Sequence, residues 1–141
     1  VMGSSLGGLV SVVQGYRDPD AWDFVASMSG TLSWGSIGLE NPTVIELYAD
    51  VGGVLGDAVI YLDSGGEPGS GCVDSDGDGI EDDGFGSSDN YCPTRQMADQ
   101  LAEQGYVWDE NLFHWWEEGA DHSERAWAER VWRPLEIFEG L

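Results

Sequence analysis

The chain has 141 residues, enough for one domain with a buried core. Against 27 Asp and Glu stand five Arg and no Lys, for a formal net charge of −22. Such a surface repels nucleic acid and anionic membranes, so neither is expected as a partner, and no stretch approaches the ~18 apolar residues of a membrane helix.

The first element is a motif. Gly3-Ser4-Ser5-Leu6-Gly7 reads as G-x-S-x-G, the pattern of a serine on a tight strand-to-helix turn. Gly3 and Gly7 are expected to allow the turn and a close helix–strand approach, because a side chain would clash there. Leu6, Leu9, Val10 and Val13 then recur at helical spacing, with Gly15 as the expected C-cap. "WDFVASMSG" reads as a mostly apolar strand, and "TLSWGSIGLENP" is rich in turn residues. "TVIELYADVGG" predicts a short helix stopped by Gly52 and Gly53, and "DAVIYLD" a buried strand. Apolar runs with little alternation suit parallel strands covered on both faces.

A long polar segment follows, "SGGEPGSGCVDSDGDGIEDDGFGSSDNYC". Pro93 is expected near the first position of a helix over "TRQMADQLAEQG", with Gly105 at its end. "NLFHWWEE" is the next strand, and "GADHSERAWAERVW" a turn and helix with Ser123 as N-cap; "RPLEIF" closes the chain. Helices and strands in this order predict an α/β fold with a parallel sheet.

The chemistry follows from the serine. A serine hydroxyl needs a base in reach, and the base needs an orienting acid. His114 lies inside a strand and is expected to be packed there. His122 lies in a polar turn beyond the last strand, where a base belongs. The acid is expected after "DAVIYLD": Asp63, Glu67 and Asp89 are the candidates, and Glu67 is favoured. The backbone N–H of Leu6 is the expected oxyanion donor. One of Trp115 and Trp116 is expected to face the core and the other to line a pocket.

In the polar segment, "DSDGDGIEDD" puts Asp74, Asp76, Asp78 and Asp82 at loop positions 1, 3, 5 and 9. Gly79 falls at the turn position, and the Ile80 carbonyl at position 7. Alternate carboxylates converge hard oxygens on one Ca2+ ion, expected here as a structural metal. Position 12 is Phe85, so the loop resembles a thrombospondin type 3 calcium repeat more than an EF-hand. Cys72 and Cys92 bracket this segment, which has too few apolar residues for a core of its own. They are expected to form a disulfide, which implies a secreted or periplasmic location.

Taken together, "GSSLGGL", "YLDSGGE" and "GADHSERAWAERV" resemble the C-terminal half of an esterase of the α/β-hydrolase fold. The group resembled includes ferric-enterobactin esterases, feruloyl esterases, S-formylglutathione hydrolases and mycolyl transferases. The likeness covers nearly the whole chain except the insertion. It implies Ser5 as nucleophile, His122 as base, and Glu67 as acid if Ser64 or Gly65 holds the place of the family's glycine. "DNY" at Asp89 also resembles an acid-bearing stretch. It further implies that residues 1–141 form a partial hydrolase domain carrying a calcium-loop insertion over 67–92. The N-terminal half of the domain, and a second oxyanion donor, would come from outside the chain. The expected substrate is a small-molecule ester, with no organic cofactor. Passage of the acyl group to another alcohol, or an inactive calcium-stabilised binding module on a hydrolase scaffold, are the alternatives.

Overall fold

The computed structural model describes residues 1–34, 42–74, 77–83 and 88–141, with Asp82 and Asp83 described by backbone alone. Four parallel strands form the main sheet: β1 (Met2–Ser4), β2 (Phe24–Met28), β3 (Val59–Ser64) and β6 (Leu112–Trp116), in the order β1-β2-β3-β6. The register pairs Ser4 with Met28, Met28 with Asp63, and Ser64 with Trp116. The C-terminal ends of all four strands therefore meet along one edge. In open α/β sheets that edge is where ligands and reactive groups collect.

Both faces of the sheet are covered, which explains why β2 and β3 are buried at every position. Val25, Ile60 and Leu62 point to one side, in a core with Val12 of α1 (Leu6–Arg17), Ile45 and Tyr48 of α2 (Val44–Val51), and Met97 and Leu101 of α3 (Tyr91–Glu103). Phe24, Ala26, Met28, Val59 and Tyr61 point to the other. They meet Trp127 of α4 (Glu124–Arg130), Val131, and Ile137 of α5 (Trp132–Glu139). By this alternation Asp63 falls on the α4 side, beside Tyr61.

Local signals explain the helix starts. Thr43 and Glu46 form a capping box on α2: the Glu46 N–H donates to Thr43 Oγ1, and the Thr43 N–H donates to Glu46 Oε2. Ser123 Oγ accepts from the Ala126 N–H at the start of α4.

Two expectations change, and one segment given no expected element proves helical. Gly15 does not cap α1, which runs on to Arg17; it is buried where a Cβ would stand 2.9 Å from Val25 Cγ2 and 3.2 Å from the Tyr48 hydroxyl. Close packing of α1 on β2 and α2 is its role. Helix α3 starts two residues before Pro93, on Asn90 in the left-handed region. "RPLEIF" is helical, because Pro134 sits in the first turn of α5, where its missing N–H costs nothing.

His114 stands in mid-β6, and its Nε2 is buried with no hydrogen-bond partner among the described residues. Burial pushes its pKa below the ordinary histidine range; Asp99 opposes this and Arg95 adds to it. The folded state therefore resists a proton that the unfolded state accepts below about pH 6.5. Stability is expected to fall with pH through the window just below that value, with a slope of at most about 1.4 kcal/mol per pH unit. Urea melts of a His114→Gln variant should show a flatter slope. An unchanged slope would assign the titration to other groups.

Candidate active site

Ser5 follows β1 directly and precedes the first residue of α1. Its backbone has φ 54° and ψ −124°, a conformation that is costly for a residue with a Cβ. The turn is held by the Ser5 N–H donating to the Met28 carbonyl at 3.0 Å, and by the Leu9 N–H donating to the Ser5 carbonyl at 3.1 Å. A Cβ on Gly3 would stand 2.4 Å from the Gly7 carbonyl oxygen, so only glycine fits at that position. Gly7 itself has open space around it, contrary to expectation. The close helix–strand approach is at buried Gly8, whose Cβ would meet Ser27 Oγ at 2.6 Å and Gly30 Cα at 3.0 Å.

His122 reaches back across the sheet edge. Its Nε2 lies 2.9 Å from Ser5 Oγ, and its Nδ1 lies 2.6 Å from Asp89 Oδ1. With the proton on Nδ1, the ring donates to Asp89 and its Nε2 accepts from the Ser5 hydroxyl. The imidazole and the Trp127 ring meet nearly at right angles, with ring centroids 5.0 Å apart and planes at 87°. The His122 side chain is 38% exposed, whereas that of Asp89 is 1% exposed.

The carboxylate at the imidazole is therefore Asp89, not the expected Glu67, which is exposed on the rim. The physical reason is the neck of the insertion. The Ser88 N–H donates to the Glu67 carbonyl at 3.2 Å, and the Glu67 N–H donates to Ser88 Oγ at 3.3 Å. The two ends of the segment are thus pinned side by side, and Asp89 returns next to the end of β3. There the Gly65 N–H donates to Asp89 Oδ2. A Cβ on Gly65 would collide with that oxygen at 2.4 Å and with the Ala120 carbonyl at 2.5 Å. Asp89 and Asn90 both have φ 57°, in the left-handed region that Asp and Asn tolerate best. That Asp-Asn pair before a helix was the available signal.

Asp63, the third candidate, is fully buried and committed elsewhere. Its carboxylate accepts from Arg130 Nε at 3.1 Å, from the Tyr61 hydroxyl at 3.0 Å and from the Ser29 N–H at 3.2 Å. Burial pushes this carboxyl up, and Arg130 pulls it back down. Burial beside Asp63 also drives the Tyr61 phenol well above its ordinary value.

Leu6, the expected oxyanion donor, opens α1, where the first N–H groups have no partner within the helix. Trp116 lies half-buried against Tyr91, and its Nε1–H donates to the Gly66 carbonyl beside the neck. Trp115 packs on the opposite face, with the Arg133 guanidinium 3.3 Å above its ring.

In the insertion, Cys72 and Cys92 form a disulfide that joins strand β4 (Cys72–Val73) to α3. β4 pairs antiparallel with β5 (Asp82–Asp83). Both oxygens of the Asp74 carboxylate face the turn: Oδ1 accepts from the N–H groups of Gly77 and Asp78, and Oδ2 from that of Gly79. Asp78 Oδ1 accepts from the Ile80 N–H. Asp76 lies outside the described residues, as does the Asp82 side chain. Among the described residues, no three His, Cys, Asp or Glu side chains converge as metal ligands. The donor set is all oxygen, as a hard cation requires.

These elements define an α/β protein with a parallel sheet flanked by helices and a Ser–His–Asp alignment on its C-terminal edge. No family model and no curated protein sequence matches the chain. Among solved structures it is similar to the enterobactin esterase FES from Shigella flexneri in the presence of enterobactin. Identity is 18% and the TM-score 0.67, over 99% of this chain and 30% of that one. The same esterase in the presence of 2,3-di-hydroxy-N-benzoyl-glycine gives 19% identity and a TM-score of 0.68, over 99% and 31%. Enterochelin esterase from Shigella flexneri gives 19% and 0.60, over 96% and 31%. The shared feature is the fold, that of the α/β-hydrolases, and this chain spans about a third of the length of those proteins.

Proposed function

We propose that the chain carries the catalytic half of a serine esterase acting on a small-molecule carboxylic ester. The observation that carries this reading is the unbroken line from Ser5 Oγ through His122 to Asp89, built on a strained turn. In this mechanism the Ser5 hydroxyl attacks the ester carbonyl while His122 Nε2 takes its proton. The oxygen that becomes an anion is met by the Leu6 N–H, with a second donor from beyond this chain. The tetrahedral intermediate collapses, and His122 returns the proton to the departing alcohol. Water then attacks the acyl-serine with His122 again as base, releasing the acid. An acceptor alcohol in place of that water would make the reaction an acyl transfer.

The rest of the domain is the proposed partner. Strand β1 pairs only with β2 among the described residues, and Met2, Leu6 and Val10 are exposed along that side. A cavity of about 310 Å³ at the start of β1 and β2, against α5, is lined by Val1, Met2, Trp22, Phe24, Leu135 and Phe138. An N-terminal half that extended the sheet past β1 would cover this apolar edge. The disulfide supports an extracytoplasmic location, secreted or periplasmic. No described helix is long and apolar enough to cross a membrane.

A Ser5→Ala variant of the full-length protein should lose hydrolysis of a chromogenic ester by about 10³-fold or more, and should lose labelling by a fluorophosphonate. Labelling that survives the substitution would defeat the assignment of the nucleophile. A folded wild type that neither labels nor hydrolyses would favour the inactive binding module.

For the insertion we propose Ca2+ held by Asp74, Asp76, Asp78, Asp82 and the Ile80 carbonyl. The carboxylate spacing supports it, and so does the −22 net charge, which makes a cation-free acidic loop self-repelling. The ion would brace the segment whose neck delivers Asp89. Calorimetric titration of chelated full-length protein with Ca2+ should show binding and a raised Tm. The absence of both would remove the ion from this account.

A further inference from the structure

The two oxygens of Asp89 do different things. Oδ1 faces the imidazole, and Oδ2 faces only donors: the Ser29 hydroxyl at 2.6 Å, the Gly65 N–H, and Arg130 Nη2 at 3.4 Å. Arg130 is 1% exposed and stands at the end of α4. Its Nη2 also donates to Ser29 Oγ, and both Nε and Nη2 lie 3.1 Å from Asp63 Oδ1. Ser29 is itself fixed: its φ is 45°, its N–H donates to the Asp63 carbonyl at 2.8 Å, and its carbonyl accepts from Asn90 Nδ2 at 2.9 Å.

We propose that Arg130 is a positioning residue for the triad: its guanidinium, acting directly and through the Ser29 hydroxyl, holds Asp89 turned so that Oδ1 faces His122. This deepens the esterase reading and rests on it. A guanidinium and a hydroxyl bonded to one carboxylate oxygen fix which way the carboxylate is turned. The geometry adds a mechanical link. His122 lies just before α4 and Arg130 at its last residue, so one short helix joins the base to the clamp on the acid. The titratable groups around Asp89 are His122, Arg130 of α4, and Asp63 of β3 with Tyr61 bonded to it.

A single loss of Arg130 would strand two buried carboxylates, so the test removes a charge of each sign. In full-length protein carrying Arg130→Met with Asp63→Asn, kcat on a chromogenic ester should fall about 10²-fold while KM changes less than about twofold. In 15N spectra of the two histidines, His122 should lose its Nδ1–H tautomer. The milder Arg130→Lys keeps the charge but loses the planar fork, and should lower kcat by about tenfold with a partial tautomer shift. A folded double variant with wild-type kcat and tautomer would overturn the proposal and leave Arg130 as the partner of Asp63 alone. If the double variant does not fold, Arg130→Lys decides: unchanged kcat and tautomer would overturn it equally. Should the wild type prove inactive on esters, the esterase reading fails, but the tautomer measurement still decides whether Arg130 holds the Asp89–His122 bond.

Discussion

Replacing Asp89 with Asn in the full-length protein is expected to lower kcat on a chromogenic ester by about 10⁴-fold, whereas Glu67→Gln should stay within about twofold of wild type. The size comes from the tautomer, not from lost packing. Asp89 Oδ2 is surrounded by donors from Ser29, Gly65 and Arg130, so the asparagine oxygen must take that place. Its NH₂ group is then left facing His122 Nδ1. A donor there makes Nδ1 an acceptor and puts the ring proton on Nε2, opposite the Ser5 hydroxyl. A histidine protonated on Nε2 is unable to take the serine's proton. Steady-state kinetics with circular dichroism as a folding control would check this. The assignment would be reversed by an Asp89→Asn enzyme that keeps its rate beside a Glu67→Gln enzyme that loses it.

Much of the fold was legible because its signals are local. The apolar runs of β2 and β3, the Gly52 stop of α2 and the Ser123 cap each lie within a few residues of chain. The serine and histidine were legible too, since each stands where strand gives way to helix or turn. What escaped is the pairing of distant residues. Asp89 was only one of three candidate acids, because a carboxylate beyond a long insertion reads as remote until the Glu67–Ser88 neck is known. Ser29 and Arg130 went unnoticed as partners 101 residues apart. One trace was present: Arg130 falls four residues after Ala126, on the buried face of α4. In a chain with five Arg and no Lys, a cation on an apolar face signals a buried carboxylate opposite.

The elbow glycines give the second large effect, and it departs from what the motif suggests. G-x-S-x-G treats Gly3 and Gly7 alike, but the clashes do not. A methyl group on Gly3 meets backbone, the Gly7 carbonyl oxygen at 2.4 Å, and backbone at a tight turn cannot rotate aside. Gly3→Ala is expected to cost about 1–3 kcal/mol of stability. Displacing Ser5 from His122 should also lower kcat by about 10²-fold. Gly8→Ala should be milder, because its nearest contact, Ser27 Oγ, is a side-chain atom with no hydrogen bond among the described residues to lose, although Gly30 Cα at 3.0 Å limits the relief. Gly7→Ala meets nothing within 4 Å and sits in the first turn of α1. Alanine there should be neutral, or stabilising by up to about 1 kcal/mol, with kcat close to wild type. Thermal melts and kinetics on the three variants would rank them Gly3, Gly8, Gly7 in severity. A Gly7→Ala variant that lost activity while Gly3→Ala kept it would mean that the turn around Ser5 is built differently.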